Sequence, residues 1–286
     1  MTITVARHWE PEPNTAQFAA ALDRSIASSI DKLEESTRVI DLVFDEAQLR
    51  MSVRCTLDPA VDLLETWEAT VVATQLGCAV FDVTSRSEGV VECRIADRVR
   101  RLPALGPQSF VHPGNWLAAW WLAIVCRDQA RMNRLAEIPV DRLRSPTVHY
   151  DEYVYHWVDV LQTYWLERPG LVDKLIATIE ATTPEVATET PRDLLDQVLY
   201  QPINLFYHFI RKDHAEFDEA LADALELHKA YWTATEDRAV SPDGRIALGP
   251  LAIACLAHDA GFPIDVESDY LPKAMVQHAW AGEFDL

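Results

Sequence analysis

The densest group of titratable side chains in this 286-residue chain is His149, Tyr150, Asp151 and Glu152, with His156 one helical turn further on. On a helix, Glu152 and His156 would be i, i+4 neighbours, a spacing that serves proton transfer but equally makes an ordinary surface pair. General acid–base catalysis needs a pocket around such a pair, and this stretch does not encode one by itself. His208 and His214 form the other pair worth weighing. Six residues at about 100° each set them roughly 120° apart on a helix, which is poor for holding one metal ion. The five cysteines (Cys55, Cys78, Cys93, Cys126, Cys255) are scattered and include no C-x-x-C pair, so they outline neither a zinc site nor a disulfide framework. The phosphate-binding, dinucleotide-binding, nucleophile-elbow and zinc-protease motifs are all missing. The sequence therefore calls for no catalytic residue, no metal and no cofactor.

Carboxylates carry the more ordered signal. Glu216, Glu219, Asp223 and Glu226 are spaced 3, 4 and 3, which places all four along one side of a helix. Asp58, Asp62, Glu65 and Glu68, spaced 4, 3 and 3, have the same form. Like charges at these separations cost an isolated helix a few tenths of a kcal/mol per pair. Either ridge can be a plain solvated face, or a surface kept for a basic partner. Both sets are candidate partner-binding residues.

The formal net charge of −20 is consistent with that reading and excludes others. Such a surface repels nucleic-acid phosphates and anionic membranes. The charge is also uneven. Between Arg86 and Arg144 lie ten arginines and no lysine against six carboxylates, about +4, so the remainder carries about −24.

Helices must present these groups. Hydrophobic residues make up 49% and charged residues 24%, a globular composition, and only 9 glycines are present. That argues against a turn-rich β protein. Asn14 reads as the cap of a first helix with Phe18, Leu22, Ile26, Ile30 and Leu33 inward. A second helix runs over about 36–54 on Ile40, Val43, Phe44 and Ala47. Asp58-Pro59 reads as cap and first residue of a third, to about Phe81, with Leu63, Leu64, Trp67, Val71 and Thr74 inside. Val90–Ile95 and Arg98–Leu102 alternate about Ala96-Asp97, predicting a β-hairpin. Asn115 caps a helix from Trp116 that is apolar on every face and so should be central. Further helices are expected over 151–165, 171–181, 191–199, 203–210, 215–232, 250–260 (closed by Gly261) and 269–280. The nine tryptophans fall largely on apolar stripes, as Trp116, Trp120, Trp157 and Trp165 do, which makes them core rather than a ligand cage.

The fold class expected is mostly α: a multi-helix bundle or α-solenoid-like stack with one small β-hairpin near residues 90–102. Residues 1–57 read as an N-terminal helical region and 58–286 as the main α-helical unit, the two forming one continuous structure. The start of the chain has no apolar signal core, and the longest apolar run, Trp116 to Cys126, is too short to span a bilayer. A cytoplasmic location is expected.

Several long segments, taken in order, resemble one family. HPGNWLAAWWLAIVCRD (112–128), DEYVYHWVDVLQTYW (151–165), INLFYHFIRKDHAEFDEALADALELHKAYWT (203–233) and ALGPLAIACLAHDAGFPIDVESDYLPK (247–273) are similar to the immunity protein 49 family of bacterial polymorphic-toxin systems. The resemblance reaches from about Asp58 to the C-terminus. It implies a cytosolic, nearly all-α, non-enzymatic protein that binds and blocks a cognate toxin encoded beside it. The motif residues that carry over (Asn115, Trp116, Trp120, Asp128, Asp151, Tyr153, Asp213, Tyr231, Trp232, Asp269) look like caps and core. A basic nuclease would suit the acidic surface, and a homo-oligomer is left open. The rival readings are a helical scaffold or adaptor and an enzyme built on the His149–His156 neighbourhood.

Overall fold

The computed structural model describes residues 2–145 and 147–282 and is 60% helical, which makes the protein mostly α. In chain order the elements are β1 (Ile3–Thr4), α1 (Thr15–Lys32), α2 (Ile40–Leu57), α3 (Leu64–Thr84), β2 (Val90–Ile95), β3 (Arg98–Pro103), α4 (Pro113–Val125), α5 (Gln129–Ala136) and α6 (Glu152–Trp165). They continue with α7 (Leu171–Glu180), α8 (Arg192–Leu194), α9 (Gln201–Arg211), α10 (His214–Trp232), α11 (Glu236–Val240), α12 (Leu248–Asp259), β4 (Val266–Glu267) and α13 (Lys273–Val276).

Helix α4 is the hub, because its sequence leaves no polar face to turn outward. Trp116, Ala119, Trp120, Leu122, Ala123, Ile124 and Val125 are all buried, and α3, α5, α6 and α12 pack around it. Trp116 and Trp120 stack with ring centroids 4.9 Å apart, and the Trp116 indole N–H donates to the Leu135 carbonyl at 2.9 Å. Outward from this centre α2 lies on α3 and α1 on α2, while α9 and α10 build outward from α12.

The hairpin forms in the expected register, with Val90 opposite Pro103 and Ile95 opposite Arg98. Ala96 takes a φ of +59° in its tight turn, and the Ala96 N–H donates 2.7 Å to the Gln75 side chain of α3, anchoring the tip to the helices. A second, parallel pair joins β1 to β4 and was not foreseen, since two-residue strands leave no periodic trace.

Four expectations need correction. Phe18 is exposed, and the inward stripe of α1 runs through Ala19, Leu22, Ile26 and Ile30. Helix α3 begins at Leu64 rather than after Asp58, leaving Leu63 and Leu64 exposed, because Val61 adopts a left-handed φ of +60° that interrupts the path. Helix α4 is capped a turn earlier than Asn115, by His112, whose Nδ1 accepts the Asn115 N–H at 3.2 Å. The last helix shrinks to Lys273–Val276, bounded by Pro272 before it and a φ of +52° at His278 after it.

The arginine-rich segment ties the helices together. Arg100 and Arg98 reach from β3 to Asp31 (2.7 Å) and Glu34 (3.0 Å) at the end of α1. Arg127 pairs with Asp259 at 2.9 Å and also donates to the Met275 and Val276 carbonyls, closing the C-terminal segment onto the end of α4. Arg131 and Asp128 form a buried pair, and the same carboxylate caps α5. Only Arg100 and Arg131 of this segment are buried, but Arg98, Arg127, Arg134 and Arg144 are also held in intramolecular ion pairs.

Candidate functional site

Helix α10 is amphipathic in the manner its spacing demands. Phe217, Leu221, Ala224, Leu225 and His228 are buried against α9, α12 and the preceding turn. Glu216, Glu219, Asp223 and Glu226 are all exposed, and among the described residues none of the four is engaged in an ion pair. Ten residues at 1.5 Å each set the ridge at about 15 Å long. Four carboxylates in that length, none of them ion-paired among the described residues, form a compact negative field in solvent.

The second predicted ridge does not exist as a helical face. Asp58 is buried and lies before α3; its carboxylate accepts the N–H groups of Asp62 (3.0 Å) and Leu63 (2.9 Å). The Asp-Pro pair does act as a cap, but of a turn rather than of the helix. Asp62 and Glu65 are exposed, and Glu68 is half-exposed with Arg50 4.0 Å away.

Around His149–His156 the two carboxylates are engaged structurally. Glu152 makes a bidentate pair with Arg144 at 2.7 and 2.8 Å, and the same guanidinium lies 4.0 Å from the Tyr155 ring centroid. That pairing holds the Glu152 carboxyl below its ordinary range. Asp151 accepts the backbone N–H groups of Thr188, Glu189 and Thr190 at 2.8 to 3.0 Å. Burial would push its carboxyl up, but the hydrogen bonds from Thr190 and the loop amides outweigh that and hold it low. His156 is exposed and His149 lies at a cavity mouth. His208 lies in the last turn of α9 while His214 begins α10, on opposite sides of a left-handed Lys212 (φ +56°). His214 stacks on Phe262 at 4.0 Å. Among the described residues no three His, Cys, Asp or Glu side chains are placed to hold a metal ion, and all five cysteines are buried and unpaired.

Sequence reasoning missed a cavity of about 470 Å³ between α4, α6, α9, α10 and α12. Trp121, Tyr153, Trp157 and Trp232 line it, with Leu194, Val198 and Leu199 on one wall. That wall is a π-helical turn over Leu195–Leu199, in which the Tyr200 N–H donates to the Leu195 carbonyl at 2.9 Å. Pro202 accounts for the widened turn, since it has no N–H to offer Val198 and its ring crowds that carbonyl in an α-helix. A proline after a helical run was the available signal. The loop pinned by Asp151 supplies Glu189, Thr190 and Pro191 to the same cavity.

Among the described residues no helix is long and apolar enough to cross a membrane. No curated protein and no solved structure matches the chain significantly. The family model for immunity protein 49 matches residues 58–275, most of the length and the whole stretch from the Asp58 turn to α13. The chain belongs to the immunity protein 49 family.

Proposed function

We propose that this protein is a non-enzymatic immunity protein that neutralises a cognate toxin by binding it, in the cytoplasm of the cell that makes both. The family membership carries the reading. The exposed carboxylate ridge on α10 supplies a contact surface, and it favours a toxin with a basic face, such as the phosphate-binding surface of a nuclease. A surface of this kind acts mainly through electrostatic steering, which raises association rates by factors of about 10 to 10³ at low salt. Asp62, Glu65 and Glu68 form the second choice of contact, whereas Asp58 serves its turn.

The test is toxin-binding kinetics of the Glu219→Lys/Asp223→Lys variant. Both positions face solvent, so folding should be unchanged. The association rate should fall at least about tenfold at low salt, with the gap to wild type closing at high salt. Unchanged association would remove the α10 ridge from the interface and turn attention to Asp62, Glu65 and Glu68.

A further inference from the structure

The ridge and the cavity lie on opposite sides of α10. At 100° per residue, Ala224, His228 and Trp232, which border the cavity, point about 160° away from the mean direction of the four ridge carboxylates. A partner seated on the ridge therefore leaves the cavity unexplained. Its volume, about 470 Å³, falls within the range of small-molecule sites, and its lining is mainly aromatic and aliphatic.

Its charges are one-sided. Among the described residues no lysine or arginine lines it, while Glu189 and Asp243 do, both exposed at the margin, where the His149 imidazole also lies. Asp243 is close enough to Asp45 of α2 to act on it electrostatically, and Asp41 acts on Asp45 as well. Burial first, and these two neighbours next, push the Asp45 carboxyl above its ordinary range. Arg245, on the same turn as Asp243, donates to the Thr56 hydroxyl at 2.9 Å and is not part of the lining. In the interior, by contrast, burial keeps the His228 imidazole neutral at physiological pH, its Nε2–H directed 2.9 Å to the Gly244 carbonyl. The interior thus disfavours charge of either sign, and the mouth favours a positive one.

We propose that this cavity is a binding site for a small amphiphilic organic cation, its apolar ring or chain inside among Trp121, Trp157 and Trp232 and its ammonium group at the mouth beside Glu189 and Asp243. A carboxylate of the same shape would meet like charge in the lining and, among the described residues, no lysine or arginine, and a neutral molecule would gain only from apolar burial. The site is independent of the toxin reading and can stand or fall without it.

Three molecules of matched shape separate the contributions: 4-phenylbutylamine, 4-phenylbutanol and 4-phenylbutanoate, titrated into the full chain by calorimetry with melting temperature as a second readout. The amine should bind at least about tenfold tighter than the carboxylate, with the alcohol between them and the amine's advantage shrinking as salt is added. Glu189→Gln/Asp243→Asn, both at exposed positions, should bring the amine to within about threefold of the alcohol and leave the alcohol unchanged. Ala224→Leu, which fills the cavity from α10, should weaken all three; if it fails to fold, Leu199→Trp at the exposed rim replaces it. Equal or tighter binding of the carboxylate, no binding of the amine at millimolar concentration, or amine binding that ignores both sets of substitutions would overturn the proposal.

Discussion

Acid should unfold this protein partly through His228. The imidazole is buried beneath Trp232 and Tyr270, with centroid distances of 6.0 and 5.0 Å. Burial pushes its pKa down to about 4; the hydrogen bond to the Gly244 carbonyl opposes the shift, and the nearby His8 adds to it. An unfolded histidine titrates near 6.5. Because the folded pKa is the lower one, the unfolded chain binds the extra proton first. The stabilising contribution is therefore complete above about pH 6.5 and is lost as pH falls towards 4. With those two values, the loss is about 2 kcal/mol at pH 5 and about 3 kcal/mol at pH 4. Carboxylates held low by arginine pairs, such as Asp23 between Arg50 and Arg54, also lose stability in acid, so the wild-type curve alone does not isolate the histidine. His228→Gln keeps an N–H for Gly244 but cannot titrate. Urea midpoints of both proteins at pH 7.5 and pH 5 then give a double difference. The wild type should lose about 2 kcal/mol more than the variant between those pH values. Equal losses would show that His228 is protonated as readily folded as unfolded, and would refute the buried, neutral assignment.

Three further outcomes follow from the packing. Trp120→Ala removes one of the largest fully buried side chains from the all-apolar helix and should cost about 3–5 kcal/mol, or abolish soluble expression; a near-normal melting temperature would contradict the central place of α4. Asp128→Ala leaves Arg131 buried without its carboxylate and strips the α5 cap, so chemical denaturation should show a loss of about 3–5 kcal/mol. Asp151→Ala releases three backbone N–H groups and should speed amide exchange at residues 188–190 well beyond the global change, with a stability cost of about 2–3 kcal/mol.

The parts of this fold that were legible in the sequence are those where one local rule decides. The hairpin was readable because period-two alternation has no helical interpretation and Ala96-Asp97 fits a two-residue turn. Helix α4 was readable because a run without polar residues can only go inside. The exposure of Glu216, Glu219, Asp223 and Glu226 followed from spacing against Phe217, Leu221 and Leu225 on the same helix. Misreadings came where a tertiary contact outweighed a local signal. Asp58-Pro59 looks like a helix start, but the carboxylate is needed two residues before α3, by the turn that Val61 reverses. Asn115 looks like a cap, but its side-chain amide donates to the Phe110 carbonyl while His112 caps the helix. The cavity was not legible at all. Its lining comes from segments spread between Gly114 and Pro250, and no single stretch carries a pattern that marks the space between them.

The proposed function, protection of the cell by binding a toxin, rests on membership of the immunity protein 49 family. The most direct measurement is co-expression of the full chain with any toxin domain found encoded beside its gene, scored for survival and followed by purification of the complex. Survival of cells that die with the toxin alone, together with a stable complex in which the toxin is inactive, is the predicted result. Death of the cells despite folded, abundant protein, with no complex recovered, would contradict the account.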